Sequence, residues 1–199
     1  MKQKNIIYTH YGHSKFDKTK FDPIKNRLFN NKPAGGFWAS RKNAVFGWKN
    51  WNDTECFAVC DEKNKIDFTL RTGSRILEIH NTQDVDDIVE KYHVNLPSDK
   101  ELSTFGPSSS VASYTIDFEK ISQDYDAIEC FVSDDSKLYY KLYTWDCDSI
   151  LILNPDIIEP IIQKQQNIAD MILCDDEMLV SPDTNTEAVS FHLDFNNER

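Results

Sequence analysis

The chain has 199 residues, 40% of them hydrophobic and 28% charged, and a net charge of −11. That length suits one domain that buries its core without staples, and the lack of any apolar run of roughly 18 residues argues against a membrane partner. Five cysteines with no C-x-x-C pair and no ligand-like Cys/His spacing argue against a disulfide framework or a structural zinc. Met1 to Asn5 lead only into Ile6-Ile7-Tyr8, too short an apolar run for a secretory signal, so a cytoplasmic location is expected. Residues 6–10 read as a short buried strand, and 14–31 as an irregular polar segment punctuated by Pro23 and anchored by Phe16, Phe21, Ile24 and Phe29. Lys32-Pro33-Ala34-Gly35-Gly36 reads as a turn. Residues 37–40 follow as a second strand, with Ser40 capping a helix that carries Ala44, Val45, Trp48 and Trp51 on one face. Strands are expected over 55–59, 65–70 and 75–80, and an acidic helix over 84–93. Residues 98–113 hold Gly106, Pro107 and three consecutive serines, which reads as a flexible loop. Asp117 can cap a helix to Gln123, after which 127–132, 138–143 and 149–153 have β-rich composition, the last ended by Asn154-Pro155. A helix-like stretch over 161–173 and an acidic tail from Asp175 complete a domain over 1–174 and a tail over 175–199.

The densest signal lies near the N-terminus. Three of the four tryptophans, Trp38, Trp48 and Trp51, fall close together beside Gly35-Gly36 and a histidine pair, His10 and His13. Up to Trp51 the chain carries eleven Lys or Arg residues against only Asp17 and Asp22, so the remainder is more acidic than the net charge suggests. Aromatic faces beside a glycine turn and a surplus of cations suit a flat ring joined to phosphates, and a compact aromatic core is the alternative. The acidic remainder would repel a long polyanion, which favours a small anion or a protein partner over nucleic acid.

The run His10-Tyr11-Gly12-His13-Ser14, the segment Gly35-Gly36-Phe37-Trp38-Ala39-Ser40 and the later Trp48 resemble the ADP-ribosyltransferase superfamily. The branch is the histidine–tyrosine–glutamate one that includes poly(ADP-ribose) polymerases and diphtheria-type toxins. The resemblance covers about 45 residues well and the rest only in element order. It implies an α+β single domain of split mixed and antiparallel sheets with flanking helices, and NAD as the substrate bound. It implies that His10 holds the ribose of the nicotinamide half, and that the ring is clamped either by Phe37 with Trp48 or by Trp38. The chain departs from the family at Phe37, where a tyrosine is expected, and in the residue inserted between His10 and Gly12.

Cleaving the nicotinamide–ribose bond builds an oxocarbenium-like charge, so such a site needs a carboxylate near the sugar and no metal. Glu129, Asp148 and Asp146 are the candidates, in that order, each at a strand edge. Arg27 and Lys32 flank the glycine turn and are candidates for the pyrophosphate end. His10 and His13 alone make a poor metal pair, because the next histidine is His80. No P-loop, dinucleotide G-x-G-x-x-G or nucleophile elbow occurs. The expected function is NAD-dependent transfer of ADP-ribose to a macromolecule, with a protein acceptor favoured, as in a small effector, toxin or phage-borne inhibitor. The alternatives are an NAD glycohydrolase and a non-enzymatic binding protein that keeps the fold.

Overall fold

A computed structural model describes residues 6–27, 30–94 and 115–161, which fall within one structural unit. Its centre is an open mixed sheet of seven strands. These are β1 (Tyr8–Tyr11), β4 (Phe37–Arg41), β5 (Lys65–Leu70), β6 (Ile76–Ile79), β9 (Ala127–Cys130), β10 (Ser149–Ile152) and β11 (Ile158–Pro160). Their spatial order is β11-β5-β1-β4-β10-β9-β6, antiparallel throughout except for the parallel β6–β9 pair at one edge. Two small antiparallel pairs lie outside it, β2 (Lys25–Arg27) with β3 (Asn30–Ala34) and β7 (His93–Val94) with β8 (Thr115–Ile116).

Among the described residues four α-helices accompany the strands: α1 (Trp48–Glu55), α2 (Thr82–Lys91), α3 (Phe118–Asp124) and α4 (Ser136–Lys141). The last three start at side chains made for the task. Asn81 and Asp84 form a reciprocal capping box on α2, and Asp117 and Asp135 accept backbone N–H groups at α3 and α4. Each then buries one apolar face. Val85 and Ile88, Phe118 and Ile121, and Leu138 and Leu142 pack on Ile128, Cys130 and Leu151 of the sheet. The period-two alternation of strands sends the intervening residues to the opposite face. There Tyr8, Ala39, Phe68, Ala127, Ile150 and Ile152 form a second core with Ile157 and Ile158.

The α+β character is as expected, while one seven-stranded sheet stands where a split arrangement was anticipated. Residues 138–143 are helical rather than extended: Leu138 and Leu142 sit one turn apart and are buried, while Tyr140, which a strand would put on the same face as both leucines, is exposed. Residues 55–59 form no strand, because α1 runs to Glu55, Cys56 takes a left-handed φ of 52°, and Phe57 and Val59 lie exposed. The turn expected over 32–36 contracts to Gly35-Gly36, since Lys32 to Ala34 belong to β3. Likewise the segment 14–31 contains β2 and the start of β3, and β11 forms where no strand was expected. Ala44 and Val45 precede α1, which begins at Trp48. The loop expected over 98–113, the helix over 161–173 and the tail from 175 lie outside the described residues, save Ile161.

Candidate functional site

Where β1, β4 and the entry to β10 meet, a cavity of about 280 Å³ opens on the helix-covered side of the sheet. Its walls are indoles: Trp38 from β4, Trp48 from α1 and Trp145 from the segment before β10. Trp145 is fixed by its Nε1–H, which donates to the Asn31 carbonyl at 2.7 Å, and it meets Trp38 edge-on with ring centres 4.8 Å apart. Trp48 is held from behind by Trp51, stacked at 5.3 Å. One hydroxyl ties these parts together: Ser40 Oγ accepts the Trp48 N–H at 2.9 Å and donates to the Asp148 carbonyl at 2.7 Å. Ser40 thus satisfies the first N–H of α1 from a neighbouring strand, although Gly47 precedes the helix in sequence. The β3–β4 turn that aims Trp38 requires glycine. Gly36 has φ +72°, and a Cβ there would stand 2.4 Å from Leu151 Cδ1.

The polar groups of the cavity are few. His10 Nδ1 lies 2.7 Å from the Trp38 carbonyl, which can only accept, so Nδ1 carries the proton and Nε2 keeps its lone pair. Nε2 in turn accepts from His13 Nδ1 at 3.2 Å. Burial pulls the His10 pKa below its ordinary value, which keeps the ring neutral. Lys32 and Asp146 are the charged pair of the lining, 3.3 Å apart, and the Lys32 ammonium also sits 5.1 Å from the centre of the Trp38 ring. Burial pushes the Cys147 thiol up to about 12, so the sulfur in the lining is not a nucleophile. Tyr11 is likewise raised to about 12, by burial and then by Glu62.

The remaining expected residues separate into those at the cavity and those away from it. His10, Tyr11, Trp38, Ala39, Ser40, Trp48 and Asp146 line it. Gly12 lies beside it at φ +119°, its N–H donating to the Asn64 carbonyl at 2.8 Å, and His13 and Ser14 are exposed. Phe37 faces the opposite core, its ring 4.2 Å from His10 and 5.8 Å from Phe68, and is not in the lining of the tryptophan-walled cavity. Arg27 is exposed at the end of β2. Glu129 is 3% exposed and bound bidentately by Arg41, Nε to Oε1 at 2.7 Å and Nη2 to Oε2 at 2.8 Å, with Tyr8 OH donating to Oε2 at 3.2 Å. It belongs, with Arg41 and Asp148, to a separate pocket of about 110 Å³. Asp148 accepts the Ser133 N–H at 2.9 Å and its hydroxyl at 2.6 Å, which leaves it bridging two loops. Sequence reasoning missed Trp145, Cys147, Thr9 and Ser149 as lining residues; Trp145, the fourth tryptophan and the neighbour of Asp146, carried the one available signal.

Among the described residues no group of three or more His, Cys, Asp or Glu side chains converges as a metal site, and no helix is long and apolar enough to cross a membrane. Comparison with known proteins gives no match to a family model, a curated protein or a solved structure.

Proposed function

We propose that the tryptophan-walled cavity binds the nicotinamide–ribose half of NAD, and that the protein transfers ADP-ribose from it to a protein acceptor. The observation that carries this reading is the combination in one cavity of three indole walls and a single carboxylate, Asp146, with His10 of β1 in the lining. At about 280 Å³ the cavity falls just below the usual size of ligand sites, which run from roughly 300 to 1,000 Å³. It has room for a ring and its sugar, and the adenylate half would lie outside. NAD supplies an electrophilic anomeric carbon once nicotinamide departs. The chain's own residues would desolvate the ring between the indoles and set the Asp146 carboxylate against the developing charge, while His10 Nε2 would accept from a sugar hydroxyl only in exchange for its bond from His13. Lys32 would then exchange its contact with Asp146 for one with a phosphate. Glu129 is already neutralised by Arg41, so in this reading it is a structural acid.

A second reading, a binding module without turnover, is favoured by Phe37 lying in the core with no hydroxyl to offer and by the withdrawal of Glu129 from the cavity. Nicotinamide release from NAD distinguishes the two. Release that depends on added protein and is lost in Asp146→Asn but kept in Glu129→Gln supports the transferase; release without an acceptor identifies a glycohydrolase. Saturable NAD binding without release leaves the module.

A further inference from the structure

One glycine brings two histidines together at the end of β1. Gly12 takes φ +119°, a conformation that suits glycine, and gives its N–H to the Asn64 carbonyl at 2.8 Å. The chain turns there, and the His13 ring stacks on the His10 ring with centres 5.5 Å apart. His10 is the fixed half of the pair. Its Nδ1–H is spent on the Trp38 carbonyl at 2.7 Å and its ring rests 4.2 Å from that of Phe37, so the Nε2 lone pair has one direction, towards His13 Nδ1 at 3.2 Å. His10 is half-buried, whereas His13 is exposed and its ring has room to turn.

Two imidazole nitrogens at this separation match the bite of a chelate. Zinc binds imidazole at about 2.0–2.1 Å, which sets two ligands of a tetrahedral ion roughly 3.3 Å apart. A ligating histidine ordinarily donates its other N–H to a carbonyl or carboxylate, which fixes the ring and raises its basicity, and His10 already has that bond. His13 has only to carry its proton on the outer Nε2 instead of Nδ1 and turn about its side-chain bonds for both lone pairs to meet on one ion; the ring stays neutral and nothing is oxidised or reduced. The donor set chooses the cation: two neutral imidazoles suit zinc, copper or nickel, whereas magnesium and calcium take oxygen ligands. Among the described residues no third His, Cys, Asp or Glu converges on the pair, so water or a bound molecule would fill the remaining positions, beside the cavity that His10 lines. His80 is the contrast. Its Nδ1 lies 2.7 Å from Asp134 and its Nε2 3.7 Å from Glu78, an arrangement of ion pairs with no second imidazole.

We propose that His10 and His13 together chelate one transition-metal cation of the zinc, copper and nickel class at the edge of the tryptophan-walled cavity. The ion would take the lone pair that the NAD reading lends to a sugar hydroxyl, but the site itself stands apart from that reading. The test is calorimetric titration of Zn²⁺ into the full chain after removal of metal with a chelator, with Mg²⁺ as the comparison ion. The variants are His13→Gln, His10→Gln, and as controls His80→Gln and Cys56→Ser, which remove an exposed imidazole and an exposed thiol. His13 is exposed, so His13→Gln should keep the circular dichroism and melting of the wild type even where His10→Gln does not. The expected result is saturable binding of a Zn²⁺ ion that Mg²⁺ does not displace, at least about tenfold weaker in His13→Gln and unchanged in both controls. Nitrogen NMR of histidine-labelled protein should show Zn²⁺ shifting His10 Nε2 and His13 Nδ1 and leaving His10 Nδ1 protonated. No Zn²⁺ binding in wild type, binding indifferent to His13→Gln, binding lost in His80→Gln or Cys56→Ser, or equal affinity for Mg²⁺ would each overturn the proposal. Quenching of the cavity tryptophans by NAD is a separate measurement; its absence would count against the NAD reading while leaving the metal result standing.

Discussion

Two carboxylates with opposite assignments make the sharpest contrast among single residues. Glu129 is held by both arms of the Arg41 guanidinium and by Tyr8, so Glu129→Gln leaves a half-buried cation short of its partner. A loss of about 2 kcal/mol, read as a lower urea midpoint, is expected. Asp146 and Lys32 are each about one-third exposed, and such a pair contributes about 1 kcal/mol or less, so Asp146→Asn should melt close to wild type while losing nicotinamide release. The two histidines supply a pH test of opposite sign. Burial depresses His10 below its ordinary 6.5, so its contribution is present above 6.5 and is lost as pH falls through the folded value. Asp134, at 2.7 Å, raises His80, so that contribution is present below 6.5 and is lost as pH rises through the folded value. His10→Gln should therefore flatten the acid side of the stability profile and His80→Gln the neutral side, as melting at a series of pH values would show. His10, Trp38 and Trp48 were singled out because rare rings beside glycines suit either a ligand or an aromatic core, and all three lie in the lining of one cavity. Glu129 was ranked first by residue type alone, and nothing in its neighbours Ile128 and Cys130 announces that Arg41, far away in sequence, claims its charge.

At the scale of elements, what was legible depended on whether local chemistry and burial agreed. β5, α2 and α3 fall where expected because alternation, the capping box and Asp117 all point the same way. Around α4 they conflict: Lys-Leu-Tyr-Tyr-Lys-Leu-Tyr is rich in strand formers, yet burying both leucines with Tyr140 exposed between them needs a helical turn. Leu142→Ala should cost about 3 kcal/mol through the cavity it leaves, measurable as a reduced midpoint with an unchanged slope. The β3–β4 turn gives a second test. Gly36→Ala would set a methyl group against Leu151 and Ile24 at a φ that only glycine takes freely, and a loss of roughly 2 kcal/mol is expected, with weakened NAD quenching because Trp38 follows two residues later.

For the whole molecule, class and size were readable from composition and element order, while the arrangement was not. The sheet separates Glu129 from Asp146: Glu129 shares the face of Ala127 and Tyr8, whereas Trp38, which lines the cavity with Asp146, and the helices occupy the other. That separation is a matter of strand parity and spatial order, β4 beside β10 beside β9, and no local pattern encodes such an order. The seven-stranded sheet holds the cavity at one face, with Trp48 of α1 in its wall. The most direct measurement is a fluorescence titration of the wild-type protein with NAD, alongside Trp38→Leu. Saturable quenching in wild type, lost or weakened about tenfold in Trp38→Leu with the fold retained by circular dichroism, is the predicted result. Absence of quenching in wild type at any NAD concentration reached, or quenching indifferent to Trp38, would contradict the assignment of this cavity to NAD.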